Sequence, residues 1–446
     1  MARLFGTDGV RGVANRDLTP ELAFQLGFAA ARVLWREQTD PFFAVGKDTR
    51  YSGDLLETAL ISGVLSAGVD VVQLGILPTP GVAYLTRSMG ATAGVMISAS
   101  HNPMQDNGIK FFGADGFKLL DAIEDEIAAE LGVMAPNDRP IGASIGRIRR
   151  HHHGLKDYVE FLKGTVRHRF DGMKIAVDAA NGAAFAMAAE VLRDLGAEVK
   201  LYFAEPDGTN INVNCGSTHP ETIARLVKET GADVGLAFDG DADRLIAVDE
   251  QGQIVDGDRI MLICALDMAK RKTLVNNTVV TTVMSNYGFV KASRQHGLQL
   301  VRTAVGDRYV MEAMREGGYV LGGEQSGHVI FLQHNTTGDG VLTALQLLDV
   351  MMGAKQRLSE LASVMRSYPQ VLVNVRVQDK VAWRNNAAIA AAILQVEEQL
   401  GDDGRVLVRE SGTEPIVRVM VEGPQEEAVT AYAESIVSIV KRELGA

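Results

Sequence analysis

Two hydrophobic periods take turns along this chain. Residues 42 to 46 (FFAVG) are an apolar run of strand length, 53 to 67 carry Leu55, Leu56, Ala59, Leu60 and Val64 at helical spacing, and 70 to 76 (DVVQLGI) read as a second strand. That order predicts a βαβ unit. A similar order returns from 173, with KIAVDAA as strand, AAFAMAAEVLRDLG as helix, AEVKLYF as strand, then a helix and ADVGLAF. It returns again from 278 as TVVTTVM, NYGFVKASRQHG, LQLVRTAV, RYVMEAMREGG and YVLGG. Strands alternating with helices in this way bury both faces of a sheet, so three largely parallel sheets are expected.

The stretch from about 369 reads differently. A strand (VLVNVRV), a long helix near 384 to 400 and a Gly-punctuated hairpin (RVLVRESGTEPIVRVMVEG) precede a closing helix striped by Val429, Tyr432, Ile436 and Ile439. The expected fold class is therefore α/β: three α/β domains with mixed, largely parallel sheets plus a smaller C-terminal α+β domain. Residues 135 to 153 (APNDRPIGASIGRIRRHHH) carry Pro, Gly and basic residues between periodic stretches and read as an interdomain connection. His151 to His153 read as its solvated end, because consecutive side chains do not converge easily on one ion.

Composition narrows the function classes. A chain of 446 residues is too long for one core, and 46% hydrophobic with 22% charged residues is the make-up of a folded globular protein. The balance of 44 basic and 56 acidic residues, net charge -12, argues against a general nucleic-acid binder, whose affinity rests on a positive surface. An anionic small substrate remains compatible if a few arginines and lysines gather locally. Cys215 and Cys264 are the two cysteines, which fits a reducing compartment. The start, MARLFGTDGVRG, offers no apolar signal stretch, and no uncharged apolar run approaches the ~20 residues of a membrane span. A cytoplasmic protein without a membrane partner is expected.

Four motifs carry candidate chemistry. Asp239-Gly240-Asp241-Ala242-Asp243-Arg244 follows an apolar strand, and three carboxylates at alternate positions can converge on one hard cation, magnesium by default. An EF-hand is excluded, because Arg244 occupies the position that needs Gly and strands flank the loop. Ile97-Ser98-Ala99-Ser100-His101-Asn102-Pro103 offers a serine in a tight turn near His101 and Lys110; a plain surface loop is the bland alternative. Arg409-Glu410-Ser411-Gly412-Thr413-Glu414-Pro415, with Arg418 beyond, has the composition of a phosphate cradle, although a simple hairpin turn shares it. Gly322-Gly323-Glu324-Gln325-Ser326-Gly327-His328 mixes donors, acceptors and a titratable histidine suited to sugar hydroxyls, or to a merely polar loop.

These motifs in this order, together with FGTDGVRG at 5 to 12, NCGSTHPE at 214 to 221 and TAVGDRYV at 303 to 310, resemble the α-D-phosphohexomutase family over essentially the whole chain. The resemblance implies four domains around a central cleft: 1–150 with a phosphoserine loop, 151–255 with a metal loop, 256–367 for sugar recognition and 368–446 for phosphate binding. It implies that Ser100 is a phosphoserine that passes its phosphate to glucosamine 6-phosphate, forming glucosamine 1,6-bisphosphate, and recovers the other phosphate to leave glucosamine 1-phosphate, a supply for UDP-N-acetylglucosamine and cell-wall precursors. Mg²⁺ would be held by Asp239, Asp241, Asp243 and the Ser100 phosphate. Arg11, Lys110, Arg244 and His328 match positions for phosphate stabilisation or proton transfer. Glu324 and Ser326 match the sugar-hydroxyl loop, and Arg409, Ser411, Gly412, Thr413 and Arg418 the site of the non-reacting phosphate. Mannose and glucose phosphates are the alternative substrates, and a homodimer is allowed. A dehalogenase-like sugar phosphatase is the remoter alternative, but Asp243 stands where its signature wants Thr or Val. A phosphosugar-binding module would not need the aspartates, and Lys47 in VGKDTR lacks the glycines of a P-loop.

Overall fold

The computed structural model describes residues 3–35, 40–132, 139–151, 153–411 and 414–445. These fall into two compact units, Met1–Val283 with Leu298–Ser363, and Met284–Gly297 with Val364–Ala446.

The first unit holds three mixed sheets. In the first, β1 (Val10–Val13), β2 (Phe42–Lys47), β3 (Asp70–Ile76), β4 (Ala93–Ile97), β5 (Asp106–Gly113) and β6 (Ile148–Arg150) take the order β1-β5-β4-β2-β3-β6. The second arranges β7 (Lys174–Asp178), β8 (Glu198–Tyr202), β9 (Val234–Phe238), β10 (Leu245–Asp249) and β11 (Ile254–Val255) as β11-β10-β9-β7-β8. The third arranges β12 (Thr278–Thr282), β13 (Gln299–Thr303), β14 (Leu321–Gly323) and β15 (Val329–Phe331) as β13-β12-β14-β15.

One arrangement recurs in all three. A run of parallel strands, four in the first sheet and three in each of the others, ends in a hairpin to an antiparallel neighbour, with Ile97 opposite Ile109, Phe238 opposite Leu245 and Gly323 opposite Val329. Each hairpin loop therefore leaves the carboxyl end of a parallel strand, where open α/β sheets bind ligands. The SASHNP, DGDADR and EQSGH loops occupy these three equivalent places. Strands β4 and β9 are buried at every residue, so their apolar side chains fix the register from which the loops depart.

Helices cover the sheets. Pro20–Leu34 starts at Thr19, whose hydroxyl accepts from Leu22 N, and crosses Gly53–Ser66 at two glycines. A Cβ on Gly27 would stand 2.2 Å from the Leu60 carbonyl oxygen, and one on Gly63 would stand 2.1 Å from that of Phe24, so only glycine permits this approach. Helix Gly340–Ala354 is capped by buried Asp339, which also accepts from the Tyr158 hydroxyl at 2.7 Å.

The second unit contains the helix Tyr287–Gln295 and an antiparallel sheet of β16 (Gln370–Arg376), β17 (Arg405–Glu410) and β18 (Ile416–Glu422) in the order β16-β18-β17. Its core joins Val375, Val417, Val419 and Val421 to Ile389, Val396, Val429, Ile436 and Val440 of two helices.

Two expected elements differ in detail. The segment taken as a connection contributes β6, which pairs parallel with β3 through Val71 and Ile148, because its IRR triplet can satisfy the open edge of that sheet. The helix expected over 183 to 196 breaks into a 3₁₀ turn, Ala183–Ala186, and an α-helix, Ala188–Asp194, where the backbone of Met187 leaves the helical region. His151 bonds Asp157 at 2.7 Å, and His152 lies outside the described residues. Among the described residues no helix is long and apolar enough to cross a membrane.

Candidate active site

The β4–β5 loop presents Ser100 in the left-handed backbone region, φ +53°, with the residue 1% exposed. Its Oγ donates to Asp239 Oδ2 at 2.6 Å and lies 3.3 Å from His101 Nδ1. Lys110, one strand away on β5, reaches Asp241 Oδ2 at 2.9 Å. Thr79 donates to that same oxygen at 2.6 Å.

Asp239, Asp241 and Asp243 are all buried, and one ligand oxygen from each lies within 4.8 Å of the others. Asp241 Oδ1 and Asp243 Oδ1 are buried without a hydrogen-bond partner. Buried carboxylate oxygens without a donor are costly, and an all-oxygen set of this kind fits a hard divalent cation. The electrostatics agree. Burial, then Asp243 and Asp241, push the Asp239 carboxyl well above the ordinary range, the sign of too much negative charge in a small volume. Burial also opposes ionisation of Asp243, but His328, Lys110 and Arg244 outweigh it and hold that carboxyl low.

Cations surround the triad. Burial works against the charge of Lys110, yet Asp241 and Asp8 raise its pKa, so it stays protonated. His328 is 3% exposed; Gly338 N donates to its Nε2 at 3.2 Å, which leaves the ring's first proton on Nδ1, facing Asp243 Oδ2 at 3.4 Å. Burial disfavours a second proton there, and Asp243 more than compensates, raising the pKa. His101 goes the other way: burial, Arg244 and Arg11 lower it to about 4, so it is neutral at pH 7. Arg244 donates its backbone N–H to Asp239 Oδ1 at 3.1 Å, and Arg11 is ion-paired with Asp8.

Three residues that were not singled out from sequence complete the network. Asp8 receives Arg11, Lys110 (3.1 Å) and Lys118 (2.5 Å); Lys118 also reaches Asp307 Oδ2, and Asp307 lies 3.8 Å from His328 Nε2. Asp8 and Asp307 fall inside the FGTDGVRG and TAVGDRYV motifs, which was the available signal; Lys118 has none.

The EQSGH loop places Glu324 where its Oε1 accepts Gly306 N at 3.1 Å, leaves Ser326 exposed and turns at Gly327, φ +93°. In the second unit Arg409 and Arg418 stand opposite each other on β17 and β18. Burial and the neighbouring Arg418 lower the pKa of Arg409, and Arg418 Nε is buried without a partner, a pair of guanidiniums suited to an anion. Ser411 is buried, and Gly412 and Thr413 lie outside the described residues.

Four phosphoglucomutase/phosphomannomutase domain families match: alpha/beta/alpha domain I over residues 2–133, domain II over 156–252, domain III over 256–368 and the C-terminal domain over 372–439. A phosphoglucosamine mutase of Shouchella clausii (strain KSM-K16) is 57% identical over 446 residues, covering 100% of both chains. Another, of Geobacillus thermodenitrificans (strain NG80-2), is 56% identical with the same coverage. A crystal structure of a phosphoglucomutase/phosphomannomutase family protein from Burkholderia thailandensis superposes with a TM-score of 0.81 at 24% identity, covering 100% of each chain. The chain belongs to the phosphoglucomutase/phosphomannomutase family.

Proposed function

We propose that this protein interconverts glucosamine 6-phosphate and glucosamine 1-phosphate, with Ser100 as the phosphoryl carrier and glucosamine 1,6-bisphosphate as the intermediate. The full-length relatives that bear the name phosphoglucosamine mutase support the substrate. The observation that carries the mechanism is the 2.6 Å contact from Ser100 Oγ to an aspartate of a buried triad in which one oxygen each of Asp241 and Asp243 lacks a partner.

In the forward direction the phosphoserine P–Oγ bond breaks as a bond forms from phosphorus to the free sugar hydroxyl, whose proton leaves to a nearby base. The bisphosphate turns over, and Oγ takes the other phosphoryl group while the sugar oxygen it leaves regains a proton. Asp239, Asp241, Asp243 and the phosphoserine would hold Mg²⁺. When bound, that ion offsets the negative charge of the transferring group. Lys110, held protonated, Arg11, Arg244 and His328 neutralise phosphate oxygens or move the proton at the sugar oxygen. Glu324 and Ser326 bind sugar hydroxyls, and Arg409, Ser411, Gly412, Thr413 and Arg418 bind the phosphate that is not reacting. The two buried free cysteines support a cytoplasmic enzyme, and the local arginines and lysines suit small anions despite the net charge of -12.

The test compares turnover on glucosamine, glucose and mannose 6-phosphates with a bisphosphate primer, for the parent and Ser100→Ala. The highest kcat/KM is expected with glucosamine 6-phosphate and none with Ser100→Ala. Turnover by Ser100→Ala at the parent rate overturns the carrier, and a preference for glucose or mannose phosphate overturns the substrate.

A further inference from the structure

Behind the Ser100 loop lies a buried cluster that the reaction does not touch. Arg50 is 3% exposed, and every N–H of its guanidinium has a partner. Nε donates to Asp48 Oδ2 at 2.9 Å. One terminal nitrogen donates to the carbonyls of Pro103 (2.5 Å) and Asp106 (3.1 Å), the other to those of Ser100 (2.8 Å) and Asn102 (2.8 Å). Four carbonyls of one loop thus converge on a single planar cation, a geometry that the fixed fork of arginine supplies and the point charge of lysine does not.

The same cluster controls both peptide groups of Ser100. Its carbonyl is held by Arg50 and by Asn212 Nδ2 at 3.0 Å, and Asn212 also reaches the Asn102 carbonyl at 3.2 Å. Its N–H donates to Ser98 Oγ at 2.9 Å, and Ser98 in turn donates to Asp48 Oδ2 at 2.6 Å. Asp48, 1% exposed, therefore anchors the two arms that grip the serine from either side. A left-handed conformation is disfavoured for a residue with a Cβ and persists where the surroundings over-determine it. Here they do, and the outcome is an Oγ aimed at Asp239.

We propose that Arg50, with Asp48 and Asn212, is a positioning residue for the phosphoryl-carrying serine: it holds the loop's carbonyls on the far side and so fixes where Oγ meets the phosphoryl group. The inference rests on the carrier role of Ser100. One serine has to receive and deliver phosphoryl groups at the same point for both ends of a bisphosphate. A displacement of about 1 Å in such a group costs ~10²-fold in rate.

The alternative is that Arg50 is only structural glue, since its neighbours tie the segment to the second sheet's loops through Thr49 Oγ1 on the Asn181 carbonyl (2.6 Å) and Tyr51 N on that of Gly208 (2.8 Å). Steady-state kinetics of Arg50→Lys and Asn212→Ala in the full chain, with Mg²⁺ and bisphosphate primer, separate the two. We expect kcat per folded molecule to fall ~10²-fold for Arg50→Lys and ~10-fold for Asn212→Ala, with KM changed less than ~3-fold. Phosphorylation of Ser100 by bisphosphate, followed by intact mass, is expected to slow in parallel. If kcat per folded molecule equals the parent's and only the melting temperature drops, Arg50 is glue and the inference is overturned. Should Arg50→Lys fail to fold, Asn212→Ala decides by the same criterion. Ser100→Ala run alongside tells the failures apart: turnover by that variant sinks the carrier reading, whereas a silent Ser100→Ala beside parent-like Arg50→Lys and Asn212→Ala sinks the positioning role alone.

Discussion

Ser100 and Asp239 are 139 positions apart in sequence, and their side chains share a 2.6 Å hydrogen bond in which Oγ donates to Oδ2. Two hairpin loops from two different sheets meet there, and that meeting places a serine hydroxyl against a set of buried carboxylates.

Asp241 is the carboxylate shared with Lys110 and Thr79. Asp241→Asn removes one charge; its amide oxygen can still accept from Lys110 and Thr79, and its NH₂ then replaces the unpartnered Oδ1. Mg²⁺ titrated calorimetrically is expected to bind at least ~10-fold more weakly, and turnover is expected to fall sharply. In the parent, EDTA is expected to abolish turnover and added Mg²⁺ to restore it. Undiminished rates in EDTA remove the metal from the reaction.

Gly240 lies between two of the aspartates, and a Cβ there would stand 2.5 Å from the Ser100 carbonyl oxygen. Gly240→Ala has to push the serine loop away from the triad. A fall in kcat of ~10²-fold with a cooperative unfolding transition is the expected result. Parent-like kcat in a folded variant means that the loop spacing does not matter.

Lys118 is the shared cation of Asp8 and Asp307, at 2.5 Å from each. Lys118→Met leaves Asp307 with the Arg308 N–H at 2.8 Å and a histidine at 3.8 Å but without its lysine, and breaking a largely buried pair in this way costs about 3 kcal/mol. The urea midpoint reads it at unchanged slope. The double variant Lys118→Met/Asp307→Asn recovers part of the loss if the pair is coupled; simple additivity of the two losses counts against it.

Glu124 gives a pH signature far from the metal loop. Burial raises its carboxyl from 4.5 to about 7, against the pull of Arg3 and Arg308. A carboxyl whose pKa rises on folding contributes stability that is present below 4.5 and lost as pH rises through about 7. Glu124→Gln does not ionise, so its stability relative to the parent is expected to improve as pH climbs across that window. Melting temperatures taken in parallel check it, and a pH-independent difference between the two proteins contradicts the assignment.

Much of the fold was legible because the chain states it locally. Strands β2, β3, β7, β9 and β12 lie where apolar runs stand, and the final helix, Glu426–Leu444, buries Val429 and Ile436 of the predicted stripe. The triad was legible for the same reason: three aspartates in five residues cannot avoid one another. β6 was not, because a three-residue edge strand carries no period and forms only when β3 offers unpaired carbonyls and N–H groups.

Ser100, the aspartates at 239, 241 and 243, and the arginine and histidine loops stand out as candidates from the chain alone, since each belongs to a short motif. How their charges are settled is a matter of the folded molecule. That Lys110 is caught between Asp8 and Asp241, that Lys118 bridges Asp8 to Asp307, and that Arg50 spends its five donors on Asp48 and the serine loop all depend on distances across sheets. Ionic and hydrogen-bond energies fall steeply with separation and grow with burial, and neither quantity is written in the spacing of residues along a chain.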